Sequence, residues 1–243
     1  MFLRSRGGSN GGIAVRMRSL RTIFNLAIRR DLIKQNLYPF HKYKISKLRG
    51  KRIKHALTMV EIESFKNVDC EGDIQLLNAT NYFLFSFYTR GMNFADMIRL
   101  KWSDLSKTRI TYARVKTQGN FSLKIVPPVN QILNYYKENR RDTQYVFPIL
   151  LHDELTPMQI ENRKHKILSQ YNKGLKILAE RAGITKNVTS YVAHHSFAMC
   201  LREKGISIDV IGETLGHQSV LTTKAYVREF GVEVLDEAVE AIL

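Results

Sequence analysis

The sequence predicts a mainly helical fold that carries one small antiparallel β-hairpin. Three observations point there. Apolar residues recur at helical spacing along most of the chain. Two short β-prone runs, Arg109–Lys116 and Phe121–Val126, are joined by the turn Gln118-Gly119-Asn120. Hydrophobic residues make up 44% of 243 residues, enough for a real core in one large domain or in a small one beside a larger one.

Residues 1–12, rich in Gly and Ser, cannot hold a fixed backbone cheaply and are expected to form a flexible leader. Val15, Leu20, Ile23, Phe24, Ala27 and Ile28 then mark a helix, with Arg16, Arg21, Arg29 and Arg30 largely off its apolar stripe. So short a stretch buries no core of its own and must dock on something else. Tyr38–Arg52 is basic, holds Pro39 and lacks helical periodicity, so it reads as a linker able to lie along a phosphate backbone. Its Lys42, Lys44, Lys47, Arg49, Lys51 and Arg52 are the candidate backbone-binding cations.

Thr58-Met59-Val60-Glu61 fits a capping box and opens the main domain. A buried helix follows over Ile74–Tyr88, then a short one from Asn93 or Phe94 that closes at Trp102–Leu105. Beyond the hairpin, Pro127 and Pro128 stop the second strand and everything afterwards reads helical. The segments are Asn130–Asn139, Gln159–Arg181, Ser190–Lys204 and Ile208–Leu215, with Gly183, Gly205 and Gly216 as left-handed stops for the last three. Past residue 230, Val232, Leu235, Ala238, Val239 and Ile242 make an apolar stripe on an otherwise acidic helix, 231–243.

The formal net charge is +16 and the pI about 9.9, which calls for a polyanionic partner, nucleic acid before an anionic membrane surface. The most apolar run, Tyr82–Tyr88, is far short of the ~20 residues a spanning helix needs, so no membrane span is expected. Cys70 and Cys200 form no zinc or redox spacing and fit a reducing, cytoplasmic compartment. His194 and His195 are adjacent, so on a helix they point about 100° apart and chelate poorly. No metal, cofactor or small-molecule ligand is expected.

The chemistry-bearing string lies near the end: Leu215-Gly216-His217-Gln218-Ser219-Val220-Leu221-Thr222-Thr223-Lys224-Ala225-Tyr226-Val227. His217 and Tyr226 stand nine residues apart. A phenol, with a reference pKa near ~10, is a poor nucleophile until its proton is removed or its oxyanion stabilised. The "LGH…TT..Y" pattern resembles the active-site end of the tyrosine recombinases, the phage integrase family. Three further segments resemble the family in order. Thr89-Arg90-Gly91-Met92-Asn93-Phe94-Ala95-Asp96 is similar to its "TG.R..E" segment in an "RGM.F.DM" variant. Lys116, before Thr117-Gln118-Gly119, resembles its hairpin lysine. Tyr191-Val192-Ala193-His194-His195-Ser196-Phe197-Ala198 resembles its "H..RH.FA" segment. The likeness covers about 190 residues from Thr58 onward, with a weaker match over Ile13–Lys51.

The resemblance implies a DNA breaking-rejoining fold that clamps a duplex between a helical core-binding domain and a catalytic domain. Residues 13–49 would be the last part of the former plus the basic linker, and 50–243 the latter. It implies Tyr226 as nucleophile forming a 3′-phosphotyrosyl ester, His217 at the scissile phosphate or moving the tyrosine proton, and Lys116 as general acid on the leaving 5′-oxygen. It implies a tetramer on double-stranded DNA, linked through the tail. Two positions depart from the pattern. Asn93 stands where the first arginine belongs, with Arg90 as the expected substitute. His194 stands at the second arginine, with Tyr191 at the preceding histidine position. Imidazole has at most two donors and is mostly neutral near pH 7, so it cannot reproduce a bidentate phosphate clamp. The expected function is therefore a site-specific recombinase impaired at His194, and the alternative is an inactive DNA-binding module of the same fold.

Overall fold

The computed structural model describes residues 2–48, 55–216 and 223. The chain divides into two units, Met1–Ile53 and Lys54–Leu243.

In the first unit α1 spans Phe2–Ser5 and α2 spans Asn10–Arg29. The second helix starts three residues before the expected Ile13, because the Ser9 hydroxyl caps it by accepting the Gly12 N–H at 3.2 Å. The stretch expected as a flexible leader thus contains helix on either side of Gly7 and Gly8. The segment read as a linker is also folded in part. It makes 3₁₀ turns over Pro39–His41 and Ile45–Leu48, and Leu48 is buried with Ile13 and Ala14, with Tyr43 and Ile45 packed against them. Lys42, Lys44 and Lys47 stay exposed. Val15, Ile23 and Leu26 leave much of the apolar stripe of α2 uncovered.

The second unit opens at α3 (Met59–Lys66), held by the capping box read from the sequence: Thr58 Oγ1 accepts the Glu61 N–H and Glu61 Oε2 accepts the Thr58 N–H. Its centre is α4 (Ile74–Tyr88), whose Leu76, Ala79 and every residue from Tyr82 to Phe87 are buried. Phe65 meets Phe83 at 4.7 Å and Phe147 meets Phe85 at 4.8 Å between ring centroids. Aromatic pairs at such separations add to the burial of their area. Next come α5 (Phe94–Met97) and the hairpin, β1 (Arg109–Ala113) and β2 (Asn120–Lys124). The helices α6 (Pro127–Glu138), α7 (Pro157–Arg181), α8 (Val192–Glu203) and α9 (Ile208–Leu215) complete the unit. α4 packs on α6, α7 and α8, and the Gly174 backbone lets α7 approach Ala79 closely.

The hairpin strands are shorter than read, since β1 stops at Ala113. Val115 turns its N–H away from β2 to Asp96 Oδ1 at 2.8 Å. Residues 140–156, which fall between the helical segments named from the sequence, form no helix. Their backbone pairs instead with the end of the α5 region: Trp102 N–H donates to Gln144 O and Val146 N–H to Leu100 O, both at 2.9 Å. Long-range pairing of this kind leaves no local period to read. Among the described residues no helix is long and apolar enough to cross a membrane, and no cluster of three or more His, Cys, Asp or Glu could hold a metal.

Candidate active site

A cleft of ≈ 340 Å³ lies between the start of α5, the hairpin loop, α7 and the start of α8. Asn93, Asp96, Lys116, Lys164, Tyr191 and His194 all line it. Three residues singled out from the sequence, Lys116, Tyr191 and His194, are thus brought together from two distant segments. Lys116 is exposed in the hairpin loop rather than paired in β1. Lys164 was missed by sequence reasoning, for it is one cation among several on α7, with no pattern to separate it. Its ammonium is paired with Glu161.

Asn93 occupies the N-cap position of α5, where its residue type suits it. Its side chain makes no capping bond, however, and lines the cleft. Arg90 lies just before, exposed, with φ +59, followed by Gly91 at φ +71. The loop is pinned on both sides: Gly91 N–H donates to Ser86 O at 2.8 Å, and Ser86 Oγ donates to Met92 O at 2.7 Å. A left-handed non-glycine residue held this firmly is the kind of strain that collects at functional sites. The charge of Arg90 is felt at Tyr112, opposing the rise in that phenol's pKa that burial causes.

His194 is buried on α8, and its Nδ1 lies 2.9 Å from Gly91 O. A carbonyl only accepts, so Nδ1 carries the proton in that contact. A Cβ on Gly91 would lie 2.6 Å from His194 Nδ1 and 2.9 Å from its Cα, so glycine is needed for this approach. The Tyr191 ring tilts against His194 at 5.2 Å and stands edge-on to His195 at 4.7 Å.

Arg114 was also missed. It is 8% exposed, at the end of β1, with Nη1 donating to Leu215 O at 2.9 Å. Its Nε stands 3.6 Å from Asp96 Oδ2, and its guanidinium lies 5.2 Å from the centroid of the Phe121 ring. One signal could have found it. Ile110, Tyr112 and Arg114 fall at period two on the inward face of the hairpin, where an arginine demands a partner. Asp96 is itself buried, which raises its carboxyl pKa, while the Val115 N–H and Arg114 act the other way.

His217, Tyr226, Arg49, Lys51, Arg52 and the tail expected as a helix, 231–243, lie outside the described residues.

The Phage integrase family profile matches residues 56–231, and the Phage integrase SAM-like domain profile matches residues 1–45. The chain belongs to the phage integrase family. This integrase is 25% identical over 230 residues to tyrosine recombinase XerD of Staphylococcus saprophyticus, covering 93% of this chain and 74% of the relative. It is 31% identical over 159 residues to tyrosine recombinase XerA of Pyrococcus furiosus, covering 63% of this chain and 51% of the relative. Among solved structures it resembles the XerH site-specific recombinase bound to a palindromic difH substrate after cleavage. That match has a TM-score of 0.71 and 19% identity, and it covers 97% of this chain and 68% of the other. It also resembles a lambda integrase tetramer bound to a Holliday junction, at TM-score 0.66 and 15% identity over 92% of this chain and 61% of the other. Identities this low establish the fold: mainly helical with a two-stranded antiparallel sheet, as the sequence led one to expect.

Proposed function

We propose that this integrase cuts and rejoins duplex DNA at a specific site with Tyr226 as nucleophile. The convergence of Lys116, Tyr191 and His194 on one cleft of a phage-integrase fold carries the reading. Tyr226 Oη attacks the scissile phosphorus, the bond from phosphorus to the 5′-oxygen breaks, and a 3′-phosphotyrosyl ester forms. Lys116 Nζ gives its proton to the leaving 5′-oxygen. A 5′-hydroxyl then attacks the ester and releases Tyr226, so the bond energy is conserved and neither ATP nor a metal is consumed. His217, next in the chain after Gly216, hydrogen-bonds the phosphate or helps move the tyrosine proton.

Charge on the nonbridging oxygens falls to Arg90, Lys116 and His194. His194 directs Nδ1–H to Gly91 O, so its ring presents at most one further donor where a guanidinium would present a fork. Losing one preorganised donor costs about 10²–10³ in rate. Strand cleavage is therefore slow. A DNA-binding module without cleavage is the second reading, and the same imidazole favours it. The +16 charge and the exposed Lys42, Lys44 and Lys47 support binding to the duplex backbone, together with Arg49, Lys51 and Arg52. The tail 231–243 would link four protomers on DNA. Cys70 and Cys200 are both free, as a cytoplasmic protein would keep them.

A suicide substrate, nicked so that the short fragment carrying the new 5′-hydroxyl diffuses away, tests this. A covalent protein–DNA adduct is expected with the natural chain, more slowly than with His194→Arg by about 10²–10³, and none with Tyr226→Phe. An adduct that persists in Tyr226→Phe refutes the nucleophile. Salt-dependent binding with no adduct from either the natural chain or His194→Arg establishes the second reading instead.

A further inference from the structure

We infer that Arg114 is a positioning residue that registers the Lys116 loop against α5 and α9 for proton delivery. The inference rests on the recombinase reading for the task of Lys116.

Three elements of the second unit meet at this one side chain. Arg114 is the first residue past β1 and two before Lys116. Its Nη1 donates to Leu215 O at 2.9 Å and reaches Gly216 O at 3.5 Å, which gives the carbonyls at the end of α9 a cationic partner. Its Nε faces Asp96 Oδ2 at 3.6 Å. Asp96 in turn accepts the Val115 N–H at 2.8 Å, so the backbone on either side of the guanidinium stem is tied down. The loop closes on itself through Arg114 N–H to Gly119 O and Gln118 N–H to Arg114 O. Phe121, stacked on Tyr112 at 5.5 Å, supports the guanidinium from below.

Gly216 adds a second constraint. It has φ +67, and a Cβ there would lie 3.1 Å from Arg114 Nη1 and 2.9 Å from Phe121 Cε1. The hairpin and the end of α9 therefore meet backbone to side chain, with no room for an intervening group. A lysine at 114 would offer a point charge and could not serve two carbonyls and a carboxylate in fixed directions. Arg114 spends Nη1 on the Leu215 and Gly216 carbonyls and faces the cleft-lining Asp96 with Nε, and Asp96 also holds Val115, so it acts through the loop it holds.

The test uses DNA whose scissile 5′-oxygen is replaced by sulfur. A thiolate leaves without a proton, so such a substrate bypasses the general acid. On ordinary DNA, Lys116→Ala and Arg114→Met are both expected to form the covalent adduct about 10²-fold more slowly, the scale of a misplaced catalytic group. On the sulfur substrate both are expected to return to within about threefold of the parent, and Arg114→Lys to fall between Arg114→Met and the parent on ordinary DNA. Arg114→Met equally slow on both substrates overturns the inference, since a general loss of fold or of DNA binding is not rescued by a better leaving group. Amide exchange decides independently. Residues 115–119 are expected to exchange at least about tenfold faster in Arg114→Met while α4 amides keep their protection. Unchanged exchange in that loop overturns the inference. If the parent cleaves neither substrate, the recombinase reading fails by itself, and the exchange result alone judges the positioning of the loop.

Discussion

Arg90 shows how a single residue's backbone and side chain can pull in different directions. Its φ of +59 places an L side chain in the left-handed region, which costs about 1–2 kcal/mol that glycine would not incur. Replacing it with Ala keeps that cost and loses the guanidinium, whereas Gly removes both. Arg90→Gly is therefore expected to be more stable than Arg90→Ala by about 1 kcal/mol, a difference of about 2–4 °C in Tm for a chain of this size. Both variants should lose adduct formation to the same degree. Equal melting temperatures would show that the loop relaxes around residue 90. The next residue has no such latitude. A methyl on Gly91 meets His194 Nδ1 at 2.6 Å and its Cα at 2.9 Å while the backbone stays at φ +71. Overpacking and left-handed strain add, so Gly91→Ala is expected to lower stability by about 2–4 kcal/mol in denaturant titration.

Elements were legible where their ends were encoded locally. Thr58 and Glu61 announced α3, and Gly216 announced the end of α9, because a cap is chemistry between neighbours in sequence. The hairpin ends were not legible, since Val115 leaves the ladder for a carboxylate nineteen residues earlier. The pairing of residues 140–156 was not legible for the same reason, their partners being Leu100 and Trp102. In the cleft, Lys116, Tyr191 and His194 were found because each sits in a motif. Arg114 was not, because its importance lies in burial, and burial of one cation among 38 is invisible in composition. The α3 cap also carries a pH signature. Burial disfavours the ionised Glu61 carboxyl, but the Lys186 ammonium at 2.7 Å and the Thr58 N–H outweigh it and hold the carboxyl below its usual range. Its contribution is then complete above the unfolded pKa of roughly 4.3 and is lost as the pH falls through the lower folded value. Thr58→Ala should cost about 1 kcal/mol at pH 7. The gap between Glu61→Gln and the parent should shrink as urea midpoints are followed from pH 6 toward pH 3. A gap that widens on acidification contradicts the linkage.

The molecule as a whole carries +16, and that excess acts at longer range than any contact in the cleft. Such a charge supplies affinity through counterion release, so duplex binding should weaken linearly in log Kd against log salt, whatever the sequence of the DNA. The exposed Lys42, Lys44 and Lys47 sit in the first unit, on a segment whose Tyr43, Ile45 and Leu48 are anchored on α2. Apolar residues alternate there with the lysines, so the packing that holds the segment also turns its ammonium groups to solvent. They can be removed without disturbing a buried group. Each phosphate contact adds about 0.9 to the slope, so the triple change to Ala should reduce it by up to about 2.7 and weaken binding evenly across unrelated duplexes. Fluorescence anisotropy over 50–300 mM potassium chloride reads both quantities. The adduct rate at saturating DNA should be unaffected, because the cleft belongs to the other unit. A slope that stays at the parent value means that these lysines face solvent in the complex. The excess charge would then act through the second unit, where Lys164 at the cleft and the cations of α7 become the next to replace.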